Sequence, residues 1–445
     1  ENGILEVKLC HTVRSGGTYT ILFSEEDLTT EFDSVVSPST RVASSTEHYY
    51  DGNSLYFSFE LAPLTPNELA TANYFDSLPT TGLDPAVTDL LDALDGLSLD
   101  PYLDALHQLM PEAYDAQAAA TLELANAYTD LMLSRPNYCV AQPNEDSRHP
   151  TTDLACRKRP FEPWASVYGQ KHKRTGSDQH ISYHDEGGGL VVGLDHRVDH
   201  RLLLSGSLAT AYDIIHVDDV GKGRLTTVDL GFAGSWADGP LRIQGVASYG
   251  YGWNQRYRNL DFTGSPVATK AEYGMSRIGL RGRAEYAFRF GHLLMAPLVS
   301  LDYTALIRPV ITETGGGAAD LYIEGATNNI TTVRVGVDLS SALHKKGYWT
   351  DILENADGVW RPNLSLAWRQ VVTGQHREIT SRLAQVRGNV FTIQADAADR
   401  GFEIGAGIDW SPARINRFSF GIHYDAFVWK NVLNQSVAGR LRFSF

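Results

Sequence analysis

From residue 163 to residue 445, apolar and polar side chains alternate with a period of two in one run after another. Phe402, Ile404 and Trp410, for example, alternate with Glu403 and Asp409. Because successive side chains of a strand point to opposite faces, each run predicts a strand with one apolar and one polar face. The chain must therefore fold mainly into β-structure, either a sandwich or a barrel.

Several features favour a membrane barrel over a soluble sandwich. No stretch of 18 or more apolar residues exists, which excludes a helical membrane span. In a barrel only every second residue faces lipid, so the hydrophobic content of 43% fits. The apolar face of many runs ends in Trp or Tyr, as lipid-facing strands with aromatic girdles do. We predict a girdle that includes Trp236, Trp253, Trp368 and Trp410.

The spacing of the runs predicts twelve antiparallel strands. The connections after odd-numbered strands are mostly long: 174–186, 258–268, 309–330 and 373–400. Most of the others are tight turns, and 344–359 is a longer exception. Short turns on one side and long loops on the other are typical of outer-membrane barrels. The predicted strands cover 163–173, 187–198, 202–217, 223–237, 241–257, 269–290, 292–308, 331–343, 360–372, 401–411, 417–429 and 434–445.

The polar face of these strands carries many charges, and we expect them to line the pore. A charge exposed to lipid near the midplane would cost roughly 2–4 kcal/mol, which excludes the outer face. The predicted pore-lining residues are Arg277, Arg281, Arg283, Glu285, Asp302, Asp338, Glu403 and Asp409, joined by Asp229, Asp425, Arg440 and Arg442. A charged wall that holds a polar helix is one interpretation. The alternative is that barrel interiors are simply polar.

Three zones precede the alternating region. Residues 1–62 hold short β-rich runs separated by turn residues. Residues 63–134 change to helical periodicity, and residues 65–68 (TPNE) form a capping box with Pro at the first helical position. Further helix starts are predicted at Asp100-Pro101 and Met110-Pro111. Residues 135–162 are a linker to the first strand.

The last predicted helix, 111–134, is rich in alanine. At 1.5 Å per residue it is roughly 36 Å long, enough to cross a bilayer. Its polar residues, among them Glu112, Glu123 and Asp130, make it unsuited to face lipid. We expect this thin, polar helix to lie inside the barrel, with its carboxylates near the pore arginines. A surface helix in a bundle is the alternative.

The order of these parts resembles the autotransporters of type Va secretion. The matching stretches are 17–22 (GTYTIL), 64–68 (LTPNE), 109–114 (LMPEAY) and the final strand 440–445 (RLRFSF). The resemblance implies a translocator barrel at 163–445, a pore helix at 111–134, and the end of a β-helical, folding-promoting passenger segment at 1–62. It also implies that Phe443 and Phe445 belong to the signal read by the outer-membrane barrel-assembly machinery.

The resemblance further implies function and location. The chain would be an outer-membrane translocator in a Gram-negative bacterium, anchoring and supporting export of its own N-terminal passenger to the cell surface. Its partners would be outer-membrane lipid, the assembly machinery and periplasmic chaperones, and it would act as a monomer. The alternative is a passive channel or adhesin anchor, with residues 1–134 as a permanent surface domain. Because the chain opens with Glu1 and lacks a targeting segment, we expect a processed or trimmed product.

Cys139 and Cys156 lie between the pore helix and the first strand, on the expected periplasmic side. That compartment is oxidising, and a disulfide between them would close a loop worth about 3 kcal/mol in the chain-entropy model. Two free thiols are the alternative. Cys10 is expected to be unpaired. A zinc site would need more convergent ligands than this pair offers.

Other functions lack sequence support. A net charge of −15 argues against nucleic acid as a partner. The usual hydrolase, metalloprotease and phosphate-binding motifs do not occur, so neither catalysis nor a cofactor is expected. His172 and His196 are interpreted as solvated surface residues. Some autotransporters cut their own pore helix at an asparagine. Asn126 is the only asparagine in this helix, so self-cleavage is not expected.

Overall fold

The computed structural model describes most of the chain, and the structural statements below concern these residues. They are 4–6, 18–23, 34–36, 43–51, 54–61, 64–79, 81–133, 161–176, 180–199, 201–262, 266–291, 293–341, 358–396, 400–412, 418–430 and 432–443.

The predicted twelve-stranded antiparallel barrel is confirmed. Its strands are β6 (Phe161–Arg174), β7 (Tyr183–Arg197), β8 (Leu202–Val217), β9 (Gly221–Asp238), β10 (Leu241–Leu260), β11 (Val267–Tyr286), β13 (Leu293–Arg308), β16 (Ala326–Ser341), β17 (Gly358–Thr373), β20 (Arg400–Pro412), β21 (Phe418–Trp429) and β22 (Val432–Phe443). A short β12 (Phe288–Phe290) continues the sixth strand after Ala287 and pairs with β13. The last strand pairs with the first, from Val432 opposite Arg174 to Arg442 opposite Trp164.

Alternation sets the two faces of the barrel. In β8, β9 and β10 exposed apolar side chains alternate with buried small or polar ones. The outer face carries, for example, Leu208, Phe232 and Ile278, each more than 40% exposed. The inner face carries Asp229, Arg277 and other charges that are less than 10% exposed. The apolar residues therefore form an outer band and the polar residues fill the lumen.

The two ends of the barrel differ. At one end, which we call the short-turn end, Gly239 and Gly291 adopt positive φ angles of 57° and 60° in tight turns. A left-handed backbone conformation of this kind favours glycine. The other end, the long-loop end, carries the long connections predicted from the sequence, together with the short turn between β8 and β9.

The segments 309–330 and 373–400, predicted as loops, are largely β-structure. They contribute β14 (Ile311–Thr312), β15 (Leu321–Ile323), β18 (His376–Leu383) and β19 (Phe391–Asp396), which pair in the order β14-β15-β18-β19. The two segments are far apart in sequence, and β15 and β18 join them. Periodicity within one segment carries no information about such a partner.

Four helices lie before the barrel: α1 (Pro66–Asp76), α2 (Pro85–Asp95), α3 (Leu99–Leu109) and α4 (Ala113–Leu133). The predicted capping box of α1 is confirmed, since Thr65 and Glu68 bond to each other's backbone N–H groups. The start of α2 was not predicted, although Asp84-Pro85 repeats the same signal: the Asp84 carboxylate caps Ala86 N at 2.9 Å.

At the long-loop end, α1 packs on the edge strand β19 of the four-stranded sheet, α2 packs on residues 317–319 between β14 and β15, and α3 packs on α1 and β10. We call α1–α3 together with this sheet the cap. Asn67 bonds both backbone groups of Gln394, each at 2.9 Å, and so covers the edge strand β19. Tyr74 accepts a hydrogen bond from Leu383 N at 2.9 Å and packs on Phe391. The core of the cap is continuous with inward-facing residues near the ends of β10, β11 and β13, among them Leu260, Met275 and Leu306.

The described residues among the first 61 form five short strands: β1 (Ile4–Glu6), β2 (Thr18–Phe23), β3 (Ser34–Val36), β4 (Ala43–Asp51) and β5 (Ser54–Leu61). β1 and β3 pair in parallel, as the strands of a β-helix do. The order β2-β5-β4 is antiparallel, because only two residues connect β4 to β5 and so form a hairpin. The segment therefore combines one parallel pair with an antiparallel sheet.

In the described part of the chain, no helix is both long enough and apolar enough to cross a membrane.

Candidate functional site: the lumen and its helix

Helix α4 runs through the lumen from the long-loop end to the short-turn end. Near its start, Tyr114 donates a hydrogen bond to Glu313 at 2.7 Å, in the connection after β14. At its end, Gln244 of β10 donates to the Leu133 carbonyl at 2.8 Å. Its 21 residues span about 32 Å, the thickness of a bilayer core.

One side of α4 packs closely on strands β6–β10. The Tyr128 hydroxyl lies 2.6 Å from the Ser207 hydroxyl, and Gln117 donates to the Gln255 carbonyl at 3.1 Å. A Cβ atom added at Gly231 would overlap the Tyr128 hydroxyl, and one at Gly223 would lie 3.0 Å from the Gln117 side chain. These glycines therefore let the helix approach the wall.

The four carboxylates of residues 111–134 all contact groups of the barrel strands or of the connections at the long-loop end. Asp115 forms a two-point ion pair with Arg377 of β18, with N–O distances of 2.5 and 2.8 Å. Asp130 pairs with Arg281, and Glu112 lies 2.9 Å from His180. Glu123 has two partners on the barrel wall: it accepts a hydrogen bond from Asn434, and its carboxylate lies 3.9 Å from the Arg369 guanidinium.

The helix brings no cation of its own. Between Arg41 and Arg135 the sequence contains no Lys or Arg. The same stretch holds 15 Asp and Glu, which equals the net negative charge of the whole chain. Every ion pair between a Lys or Arg and a carboxylate of this stretch must therefore draw its cation from outside it.

The predicted pore-lining residues of the sixth strand and its neighbours lie inside the barrel, but their partners differ from expectation. Of the arginines Arg277, Arg281 and Arg283, the described contacts join Arg281 to the helix, through Asp130 and through Asn126 at 3.1 Å. Arg277 instead pairs with Asp229, and Arg283 with Asp338 and Glu285. The expected contact between helix carboxylates and pore arginines is therefore seen at Arg281, whereas carboxylates of the wall pair with Arg277 and Arg283.

The other predicted pore residues form a network on the side of the lumen away from β6–β10. Arg334 bridges Asp302 at 2.9 Å and Glu403 at 3.0 Å. Asp409 lies 2.8 Å from His423. Arg334, Glu403, Asp409, His423 and Asp425 line a cavity of about 320 Å³ between α4 and the wall. The helix is thus held against one wall and faces a polar space on the other side.

A buried ion pair marks the point where the chain enters the lumen. Arg258 of β10 and Glu313 pair with both side chains fully buried. Glu313 also accepts from Tyr114 at 2.7 Å and from Leu321 N at 2.8 Å. Arg258 also donates to the carbonyls of Gln108 and Ala319. The pair therefore joins the end of α3, the start of α4, the barrel and the cap.

The four predicted girdle tryptophans lie on the outer face near both ends. Trp236 and Trp410 are close to the short-turn ends of β9 and β20, whereas Trp253 and Trp368 are close to the long-loop ends of β10 and β17. Ile243, which pairs with Trp236, and Trp253 are ten residues apart on β10. With tilted strands this spacing corresponds to about 25 Å along the barrel axis, the height of the apolar band.

Some predicted residues lie outside the described part of the chain: Cys10, Cys139, Cys156 and Phe445. The backbone of Phe443 pairs with that of Phe418 in the last hairpin. Among the described residues, no group of three His, Cys, Asp or Glu is arranged to hold a metal ion.

The prediction that His172 is a solvated surface residue was wrong. Its side chain is buried and lies 3.0 Å from Asp185. Residue 172 has the same parity on β6 as the buried Trp164 and Tyr168, so strand parity carried the correct signal. The same parity argument identifies Arg334 as a lumen-facing residue, because it alternates with Val333 and Val335. Arg377 and Glu313 lie in segments predicted as loops, so the alternation pattern gave no signal for them.

Comparison with known proteins agrees with this geometry. No curated protein matches the sequence. The solved translocator domain of the autotransporter NalP from Neisseria meningitidis is similar with a TM-score of 0.52 and 12% identity, covering 74% of this chain and 98% of that one. The beta domain of the Bordetella autotransporter BrkA matches with a TM-score of 0.47 and 16% identity, covering 64% and 100%.

The sequence itself matches the autotransporter beta-domain family over residues 163–425, more than half of the chain. This chain therefore belongs to the autotransporter beta-domain family, and its barrel is an outer-membrane translocator that supports passenger export.

Proposed function

We propose that residues before α4 are displayed at the cell surface, that they reach it through this barrel, and that α4 remains in the lumen as a plug. The observation that carries the proposal is the direction of α4. Its first residues contact the cap at the long-loop end, and its last residue bonds β10 near the short-turn end. A chain left in the pore after export has this direction, provided that the long loops face outward.

The contacts of α4 support a resting position rather than an open passage. The helix is seated on glycines of the wall, and its carboxylates meet cations or polar groups at both ends of the lumen. The pair of Asp115 and Arg377 is buried, and losing one partner of a buried ion pair costs several kcal/mol. A passive channel would need an open lumen. Here α4 occupies the lumen and the cap covers its long-loop end.

We also propose that Phe443 and Phe445 take part in recognition by the barrel-assembly machinery, that periplasmic chaperones escort the unfolded chain, and that the barrel acts as a monomer. Closure of β22 on β6 supports the last point, because it leaves the barrel sheet without a free edge. Cys139 and Cys156 remain predicted disulfide partners at the periplasmic end.

An epitope inserted between β4 and β5 tests the proposed display. In intact cells it should be labelled by antibody and removed by added protease, while an epitope inserted at Gly239, in a short turn, should stay protected. Protection of the first epitope, in cells where the barrel is assembled, would refute display of the segment. Labelling of the epitope at Gly239 would mean that the short-turn end of the barrel, and not the long-loop end, faces outward.

A further inference from the structure

Charged side chains face outward at the long-loop end of strands β6–β11. One row crosses these six strands, each member paired with the next: Lys173, His184, His216, Lys222, Tyr257 and Lys270. The row contains no carboxylate. The rings of His184 and His216 stack with their centroids 5.0 Å apart.

Nearby carboxylates neutralise only part of this surface. Glu186 pairs with Lys171, and Glu272 lies 2.6 Å from Lys270. Asp218 lies 3.9 Å from His184. No described carboxylate forms an ion pair with Lys173, Lys222 or Arg224, and all three side chains are exposed. These three exposed cations are therefore available to a counter-charge from outside the protein.

The depth of the row indicates where that counter-charge is. On β10, Tyr257 is four residues beyond the girdle residue Trp253, which is roughly 10 Å further along the barrel axis. Below Trp253 the outer face is apolar, with Leu208, Leu230 and Tyr249 each more than 40% exposed. The row therefore lies above the hydrocarbon, at the level of lipid headgroups.

We propose that Lys173, Lys222 and Arg224, the cationic patch, bind the phosphate groups of phosphorylated glycolipid in the outer leaflet. The inference rests on the proposed orientation, in which the long-loop end faces outward. Lys173 on β6 and the two cations Lys222 and Arg224 on β9 are three strands apart, roughly 14 Å at the usual strand spacing. This separation suits a headgroup that carries more than one phosphate. The ligand stays on the lipid-facing surface and does not enter the lumen.

The test compares two doubly substituted full-length chains that lose the same charge at the same end of the barrel. K173Q/K222Q removes two cations of the patch, and R400Q/K430Q removes two from β20 and the turn after β21. Each protein is refolded in neutral detergent and titrated with bis-phosphorylated lipid A, with dephosphorylated lipid A, and with inorganic phosphate, with bound lipid counted by native mass spectrometry.

We expect the unaltered chain to retain the phosphorylated lipid, and K173Q/K222Q to bind it at least about tenfold more weakly. R400Q/K430Q should stay within about twofold of the unaltered chain. Equal binding of the dephosphorylated lipid, displacement by inorganic phosphate at equal concentration, or the same loss in both variants would overturn the proposal. Migration of unheated samples on gels verifies folding of each variant. Epitope labelling at the β4–β5 connection tests orientation separately, so the two failures are distinguishable.

Discussion

At the scale of single residues, charges of opposite sign come from different parts of the chain. The stretch that includes α4 supplies carboxylates, and the barrel and the four-stranded sheet supply arginines, as in the pair of Asp115 and Arg377 of β18. Both side chains are less than 10% exposed. Asp115 also lies in the first turn of α4, where a negative charge is favourable. This pair should therefore contribute strongly to holding the start of the helix.

Asp115→Asn should weaken docking of α4 by about 3–5 kcal/mol, because it leaves the Arg377 guanidinium buried without a countercharge. Faster hydrogen exchange of α4 amides would report the loss. Asp104→Asn, the same change at an exposed position of α3, is the control and should leave exchange unchanged. The reversed pair, Asp115→Arg with Arg377→Asp, should recover only part of the stability, since a cation at a helix N-terminus is unfavourable. Unchanged exchange in Asp115→Asn would contradict the account.

A second residue pair makes the cap sensitive to pH. His107, in the last turn of α3, lies 2.6 Å from Glu68, in the first turn of α1. The hydrogen bond to Glu68 raises the pKa of His107, although burial opposes the shift. Burial works to raise the pKa of Glu68, but its hydrogen bonds to His107 and Thr65 outweigh this, so the pKa is lowered.

The two pKa shifts determine how the stability of the cap depends on pH. The stabilisation of the cap by His107 is complete below the pKa of His107 in the unfolded chain, about 6.5. It is lost as the pH rises through the raised pKa of the folded state. The stabilisation by Glu68 is complete above the pKa of Glu68 in the unfolded chain, about 4.3. It is lost as the pH falls through the lowered pKa of the folded state. Protease resistance of α1–α3 should thus be greatest near pH 5.5 and lower at pH 8.5. His107→Gln should remove this difference. A His107→Gln protein with an unchanged pH profile would rule out the pair as its cause.

At the scale of elements, the strands were predictable and the cap was not. Strands β8, β13 and β21 begin and end within one residue of the predicted bounds, because alternation is a local signal that begins and ends with each strand. The existence of α4 and its place in the lumen followed from its length and polarity. The sheet β14-β15-β18-β19 joins segments more than 50 residues apart, and α1 docks on it through side chains that sequence patterns cannot pair.

Helix α4 packs on glycines of the barrel wall, which we call its seat, and a single substitution can test this contact. Gly231→Val would place side-chain atoms where Tyr128 lies, and the helix would have to shift away from β9. We expect faster hydrogen exchange in α4 and transient openings in single-channel recordings. Gly206→Val is the control, because a Cβ there meets only Phe232 at 3.8 Å, an ordinary contact. Equal behaviour of the two variants would mean that the helix does not depend on this seat.

At the scale of the whole molecule, three layers block the passage through the barrel. The cap covers the long-loop end, α4 fills one side of the lumen, and the ion-pair network around Arg334 and Asp302 occupies the other. The lumen of a twelve-stranded barrel lies between the filled interior of eight strands and the channel of porins. One helix of about 10–12 Å diameter is a plausible plug for such a lumen.

Planar-bilayer conductance of the full chain and of a chain lacking residues 1–134 tests this arrangement most directly. The full chain should conduct little, because α4 and its ion pairs reduce the described space on the open side of the lumen to cavities of about 320 and 90 Å³. The shortened barrel should show a several-fold larger, stable conductance step, since the lumen then loses its helix and the cap loses α1–α3. Equal conductance of the two proteins, both folded by gel migration, would contradict the claim that α4 plugs the pore.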